Sequence, residues 1–409
     1  MSDLGKVILA ESIAIQPELQ KMRRWLHQRP ELGFDLKETK PFVMSKLKEY
    51  GYENIREVGK AGLSVTVGGK KKKSGKVYMI RGDMDGLPIT EETDLEFKSL
   101  TPGRMHACGH DIHTTMLLGA AKILKAHEDE IEGTIKLMFQ PAEEICEGCR
   151  DMIEAGILED PHVDAAMMIH VDVALPAPTG TICLWAPNTG LSSNDQFRID
   201  VYGHGSHGAT PQRAVDPINA GVHIFLALQT LNAREIDPND AFVLTIGSFN
   251  AGTTGNAIPD TATLSGTIRT VSASVREKVV KRFEEIVESQ AKVFGATAKI
   301  TYPSKCPVLL NDPGLVASAR RALTETFGTG NFIDNEALGI TQFRVRGSED
   351  FGYASEKVPT LLVPFLVGDV NDGYTYGSHN PKVVFCDDFL YKGSATYAMC
   401  AMKWLSENN

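Results

Sequence analysis

The sequence predicts an α/β protein in which a mixed-sheet α/β unit is interrupted by an inserted ferredoxin-like α+β unit. Three patterns carry this expectation. Residues 1–189 alternate helical periodicity with short β-rich runs, the mark of helices layered on a parallel or mixed sheet. From Asn194 the order becomes strand, helix, strand, strand, helix, strand, which is the split βαβ arrangement. After Pro303 the α/β character returns. The expected division is therefore 1–189 and 302–409 for the two parts of the larger domain, with 190–301 inserted as a unit of ordinary small-domain size.

In the first part, helices are expected over Pro17–Gln28, Glu38–Tyr50 (closed by Gly51) and His113–Ala126. Strands are expected over Leu63–Val67, Lys76–Arg81 and Thr134–Gln140, and the loops that follow those strands are where chemistry should sit. The inserted part reads as strand Gln196–Tyr202, helix Val215–Leu231, strands Phe242–Ser248 and Thr261–Thr270, helix Ser274–Phe294 and strand Thr297–Tyr302. The last part carries a helix near Gly314–Phe327, the loop GSEDFG, a strand Thr360–Val367 and a closing helix Cys386–Ser406.

Composition narrows the function classes. The chain has 409 residues, 42% of them apolar and 23% charged, enough to bury substantial cores. A net charge of −10 argues against nucleic acid, which demands a basic face. The basic run Lys70 to Lys73, between two apolar segments, reads as a solvated hairpin turn. No apolar run approaches the ~18 residues of a spanning helix, and no leader pattern opens the chain, so a cytoplasmic protein without a membrane role is expected. Seven scattered cysteines, an odd number, fit a reducing compartment better than a disulfide framework.

The densest chemistry lies in HACGHDIH, His106 to His113, which sets three histidines, a cysteine and an aspartate just ahead of a helix. Imidazole, thiolate and carboxylate are the groups that bind zinc-like ions, and a thiolate can bridge two of them. Cys108 and His110, on the loop, read as metal ligands; His113, at the helix start, reads as a supporting or capping residue. In FQPAEE, a strand runs into the adjacent carboxylates Glu143 and Glu144. Neighbouring side chains diverge, so one can hold metal while the other faces an activated water. His170, after AAMMI, and His379, in GSHNP, stand in places where a lone histidine is more often structural than a ligand.

RGDMDGLPI, HACGHDIH, FQPAEE, IHV, GHGSHGATP, GNAIPD, SGTIRT, GSEDFG and SHNP follow one another in an order that resembles the aminoacylase and carboxypeptidase-like metallopeptidases. The likeness is to the branch of hippurate hydrolases and indole-acetyl-amino-acid hydrolases, and it spans nearly the whole chain. It implies a catalytic domain with an inserted lid and dimerisation domain. It also implies two divalent ions per subunit (zinc, manganese, cobalt or nickel) that Cys108 bridges, one held by His110 and His170 and the other by Glu144 and His379. Glu143 would be the general base for a water shared by the metals. His207 of GHGSHGATP would stabilise the oxyanion across a homodimer interface, and Asn256 and Arg269 would bind substrate, Arg269 being suited to clamp a carboxylate. Asp83, Asp85 and Asp111 would support the ligands.

The implied reaction is hydrolysis of the amide bond of a small N-acyl or aryl-acyl amino acid. A dipeptidase or exopeptidase of the same family is the alternative, although no clear acidic group for a free amino terminus stands out; a non-catalytic metal-dependent binder of small carboxylates would need neither Glu143 nor His207. The chain departs from the family pattern at ICEGCR, where Cys146 and Cys149 follow the paired glutamates. Inert packing, an altered substrate pocket, and a redox or third-metal site are the readings open for them.

Overall fold

The computed structural model describes residues 3–69 and 75–408, and these divide into two compact units. The larger comprises Met1–Thr189, Leu310–Gln342 and Tyr353–Asn409; the smaller comprises Gly190–Leu309 and Phe343–Gly352.

The larger unit is built on an eight-stranded mixed sheet whose spatial order is Arg56–Val58, Gly62–Gly68, Thr134–Gln140, Val77–Asp83, Ala165–Asp172, Thr360–Leu366, Thr181–Leu184, Ile333–Asp334. The central strands Val77–Asp83 and Thr360–Leu366 are buried at every position. Strands sealed on both faces need helices on both sides, and their near-continuous apolar sequences reflect it. Helices His110–Ala126 and Leu390–Glu407 cross where both carry glycine: a Cβ at Gly119 would lie 2.3 Å from Ser394 Oγ, and one at Gly393 would lie 2.0 Å from Met116 Sδ. The Ser394 hydroxyl donates to the Met116 carbonyl across this contact at 2.9 Å. Among the described residues, no helix is long and apolar enough to cross a membrane.

Most elements fall where the sequence pattern puts them, and Thr134–Gln140 and Thr261–Thr270 match residue for residue. The first metal-loop helix starts at His110 rather than His113, because Gly109 at φ +91° turns the chain and the polar residues behind it are already helical. An N-terminal helix, Asp3–Ala14, escapes sequence reading; its buried positions are Gly5, Ile8 and Ser12, a stripe with one large apolar side chain. The Lys70–Lys73 run lies outside the described residues. The strands on either side of it, Gly62–Gly68 and Val77–Asp83, do not pair with each other, since Thr134–Gln140 lies between them.

His127, just past the helix His110–Ala126, ties that helix to the N-terminal one. Its two ring nitrogens each lie 2.8 Å from a carboxylate, those of Glu130 and Glu11. Burial alone would lower the His127 pKa, but the hydrogen bonds to Glu130 and Glu11 outweigh it and raise it above the ordinary 6.5. A histidine raised on folding contributes stability in full below its unfolded value and loses it as pH climbs through the folded one. His127→Gln is therefore expected to lower Tm by roughly 1–3 °C more at pH 6 than at pH 9. A gap of equal size at both pH values, measured by thermal melts, would remove this contribution.

The smaller unit has its own core around Phe197, Ile199, Ala220, Ile224, Leu264, Val279, Phe283 and Val287. Its four-stranded antiparallel sheet runs Phe242–Ala251, Thr261–Thr270, Asn194–Tyr202, Thr297–Cys306 and packs against helices Pro217–Thr230 and Ala273–Val293. This is the ferredoxin-like order read from the sequence. Asp216 and Ser272 cap the two helices, each accepting backbone N–H groups of the first turn. The strand expected to stop at Tyr302 continues to Cys306, with a register shift between Thr301 and Ser304. Phe343–Gly352 joins this unit through Ser192: its hydroxyl donates to the Arg346 carbonyl at 2.7 Å, and its N–H donates to the Gly347 carbonyl at 3.1 Å.

Candidate metal centre

The turn at Gly109 puts Cys108 and His110 at the head of a helix, over the ends of the central strands. No larger residue fits there: a Cβ on Gly109 would stand 2.3 Å from Val171 Cγ2, and the backbone is left-handed. His170 comes from the end of strand Ala165–Asp172, and Glu143 and Glu144 follow strand Thr134–Gln140. His379 arrives on a loop whose N–H bonds the Ala107 carbonyl at 2.8 Å.

All five residues expected as ligands converge. Ligand atoms of Cys108, His110 and His170 lie within 4.8 Å of one another, and so do those of Cys108, Glu144 and His379. Cys108 is common to both groups, with Sγ 3.7 Å from His170 Nε2 and 3.3 Å from His379 Nε2. Glu143 is adjacent: its Oε2 stands 3.8 Å from His110 Nε2, as does Glu144 Oε1.

The surrounding hydrogen bonds aim lone pairs inward. His110 Nδ1 donates to the Asp85 carbonyl at 2.9 Å and His170 Nδ1 to the Val171 carbonyl at 2.8 Å, so each ring is fixed with Nε2 as the nitrogen left for the cluster. Asp85 also accepts the backbone N–H groups of Glu143 at 3.0 Å and Glu144 at 3.3 Å, joining the two motifs through one buried carboxylate. Asp111 is gripped by Arg23 at 2.9 Å and His27 at 2.8 Å, all three buried. The carboxyl of Asp111 is held below the usual range because the charges of Arg23 and His27 overcome the burial that would raise it.

Two observations show that this donor set fits divalent cations. Among the described residues, His110 Nε2 and Glu144 Oε1 are buried without a hydrogen-bond partner, although both face the cluster. Burial and the negative charge of Cys108 push Glu144 up to about 9. Burial would also raise the Cys108 thiol, but the nearby charge of His110 and the contacts with His170 and His379 take it well below the ordinary thiol value. Thiolate and carboxylate crowded this closely need positive charge between them.

The expected residues of the smaller unit separate into two places. His207 pairs with Ala257, and the Gly208 N–H donates to the Asn256 carbonyl at 2.8 Å, so His207 and Asn256 are neighbours. His207 is exposed, and its Nδ1 accepts the Ala209 N–H at 3.1 Å, which leaves Nε2–H as an outward donor. Arg269 lies near the end of strand Thr261–Thr270, which begins just after the Ala257–Ile258 pair: Thr261 pairs with Tyr202 and Ile268 with Asp195, and Thr261 to Arg269 spans about 27 Å of strand. Its guanidinium bonds the Arg346 carbonyl at 3.4 Å and pairs with no acidic side chain among the described residues.

Sequence reasoning missed Tyr397, whose hydroxyl accepts the Ile169 N–H and donates to the Arg81 carbonyl directly behind the cluster. In a helix of small and apolar residues it carries no local signal. Cys149 is buried in helix Gly148–Glu154, and among the described residues neither it nor Cys146 belongs to a candidate metal group.

Residues 79–403 match the model of peptidase family M20/M25/M40. A hippurate hydrolase of Campylobacter jejuni is 36% identical over 398 residues, covering 97% of this chain and 99% of the relative. An N-acetyl-L-cysteine deacetylase of Bacillus subtilis is 34% identical, with 96% and 90% covered. The crystal structure of a Bacillus subtilis protein described as a dinuclear metal binding peptidase of the M20 family aligns with a TM-score of 0.78 at 32% identity, covering 96% of this chain and 99% of that one. The chain belongs to the M20 peptidase family. Within that family it falls among the metal-dependent amidohydrolases.

Proposed function

We propose that this protein hydrolyses the amide bond of small N-acyl or aryl-acyl amino acids in the cytoplasm, as a homodimer with two divalent ions in each subunit. The observation that carries the reading is the single thiolate, Cys108, common to two three-residue donor groups, with Glu143 alongside. Cys108, His110 and His170 would hold one ion, and Cys108, Glu144 and His379 the other; zinc, manganese, cobalt and nickel all suit these ligands. The ions supply Lewis acidity toward the scissile carbonyl and toward water.

The chain's own groups do the rest. Glu143 takes a proton from the attacking water and returns it to the leaving amine nitrogen. His207, through Nε2–H, donates to the carbonyl oxygen as it gains charge. Arg269, a guanidinium without an acidic partner among the described residues, clamps the substrate carboxylate, and Asn256 holds the substrate beside His207. The hippurate and N-acetylcysteine substrates in the relatives' names support an acyl group joined to a free amino acid.

The smaller unit supports the dimer reading. Arg269 lies near the end of strand Thr261–Thr270, whereas His207 pairs with Ala257, just ahead of that strand's start, an arrangement in which a second copy would bring His207 and Asn256 to the substrate that Arg269 holds. The surface for pairing is present: strand Phe242–Ala251 is an edge strand, and helix Pro217–Thr230 beside it exposes Ile218, Val222 and Leu226 at helical spacing. A two-fold pairing of these edges would cover both.

The test is amino-acid release from N-acetyl, N-benzoyl, N-indole-acetyl and dipeptide substrates by protein reloaded with each metal. Release from the acylated panel that vanishes on metal removal is expected. Release confined to dipeptides would replace the reading with an exopeptidase, and binding without release would replace it with a carboxylate binder.

A further inference from the structure

We infer that His113 is a positioning residue for the ion held by His110 and His170, acting through the backbone of Val171; the inference rests on the metal-centre reading above. Strands Val77–Asp83 and Ala165–Asp172 pair in parallel from Tyr78 and Ala165 to Arg81 and Met168, and there their ladder ends. Each remains paired on its other side, Val77–Asp83 as far as Asp83 with Gln140 and Ala165–Asp172 as far as Asp172 with Leu366. A wedge therefore opens between the two central strands at their carboxyl ends, under the cluster.

Side chains replace the missing backbone rungs. Tyr397 supplies the first, taking the Ile169 N–H at 3.0 Å and giving its proton to the Arg81 carbonyl at 2.9 Å. His113 supplies the second, its Nε2 accepting the Val171 N–H at 2.9 Å and its Nδ1 donating to Asp83 Oδ1 at 2.7 Å. Asp83 is itself fixed, its Oδ2 taking Arg81 Nη1 at 2.6 Å and its carbonyl taking the Thr114 hydroxyl at 2.5 Å.

Val171 is held from both sides. Its N–H is bound by His113, and its C=O is bound by His170 Nδ1, the contact that turns His170 Nε2 toward Cys108. The His113 ring lies 4.9 Å from that of His170 and 5.4 Å from that of His110, so it also spaces the two imidazoles. Asp83, His110 and His113 would by proximity alone make a third ligand group. Both nitrogens of His113 are committed elsewhere, which makes it a strut and not a ligand. Glu144 and His379 have no part in this chain of contacts, so the effect falls on one ion of the pair.

Glutamine and asparagine separate the two ends of the strut. Glutamine sets its amide near the Nε2 position and can still accept from Val171; asparagine reaches only as far as Nδ1. Metal-free full-length protein would be titrated with Co²⁺ against a chelator, reading bound stoichiometry and the thiolate-to-cobalt absorption band. The wild type is expected to bind two ions. His113→Asn is expected to bind one of them about 10–100-fold more weakly with the other unchanged, and His113→Gln to stay near wild type. Two ions bound with unchanged affinities in His113→Asn, or equal weakening of both ions in both variants, overturns the inference. Wild type that binds no cobalt overturns the metal-centre reading, and the inference with it. If His113→Asn does not fold, Tyr397→Phe, which unties the neighbouring rung, is expected to weaken the same single ion, and its failure to do so overturns the inference equally.

Discussion

Replacing Glu143 by glutamine is expected to lower kcat by about 10²–10⁴-fold, the range over which a positioned general base acts, while both metal ions remain bound. The amide keeps the size of the side chain and the Glu143 N–H bond to Asp85, which uses the backbone and does not depend on the carboxylate. What it loses is the ability to take a proton. Glu144→Gln changes a different quantity. Among the described residues Glu144 Oε1 is buried without a hydrogen-bond partner and faces His110 Nε2, and Oε2 lies 3.7 Å from His379 Nε2, so its negative charge belongs with the ion that His379 shares. That variant is expected to lose one metal and to lose turnover as a result. Elemental analysis beside steady-state kinetics distinguishes the two: equal metal loss in both variants would sink the division of labour between these adjacent carboxylates.

The same adjacency marks how far the sequence could be read. Residue type and order single out HACGHDIH and the glutamate pair, because thiolate, imidazole and carboxylate packed into so few positions have few structural uses. The strand Thr134–Gln140 was legible to the residue since Gly133 and Pro141 bound it. His170 and His379 were not identifiable from their surroundings, where a lone histidine at a strand end is ordinary; the order of motifs along the chain pointed to them, and the cluster around Cys108 gathers them. The supports were harder to foresee. The role of His113 depends on a ladder that stops between Arg81 and Asp83, and that of Tyr397 on a hydroxyl crossing from a distant helix. Ser192 and Arg346 are bonded partners separated by most of the smaller unit and the segment after it. Such contacts are set by tertiary packing, to which neither periodicity nor spacing gives access.

The arrangement of His207 and Arg269 yields the second large effect. His207→Ala is expected to cut kcat by about 10²–10³-fold, the usual loss when an oxyanion donor is removed, and Arg269→Ala to raise KM sharply with the loss of carboxylate binding. If each site takes Arg269 from one chain and His207 from its partner, the two inactive variants should rescue each other. In a heterodimer formed by dissociating and reassociating equal amounts, one site receives both intact residues and the other receives neither. With random pairing, about a quarter of wild-type activity should return. Val222→Asp with Leu226→Asp, placed on the exposed apolar stripe of helix Pro217–Thr230, should abolish both the rescue and the dimer mass, because a buried unpaired carboxylate opposes the association. Charges at these exposed positions disturb no core side chain, so the smaller unit should still fold, and far-UV circular dichroism can verify it. Rescue absent while the dimer persists would mean that one chain serves its own site with both residues, which would overturn the sharing of the site between two copies.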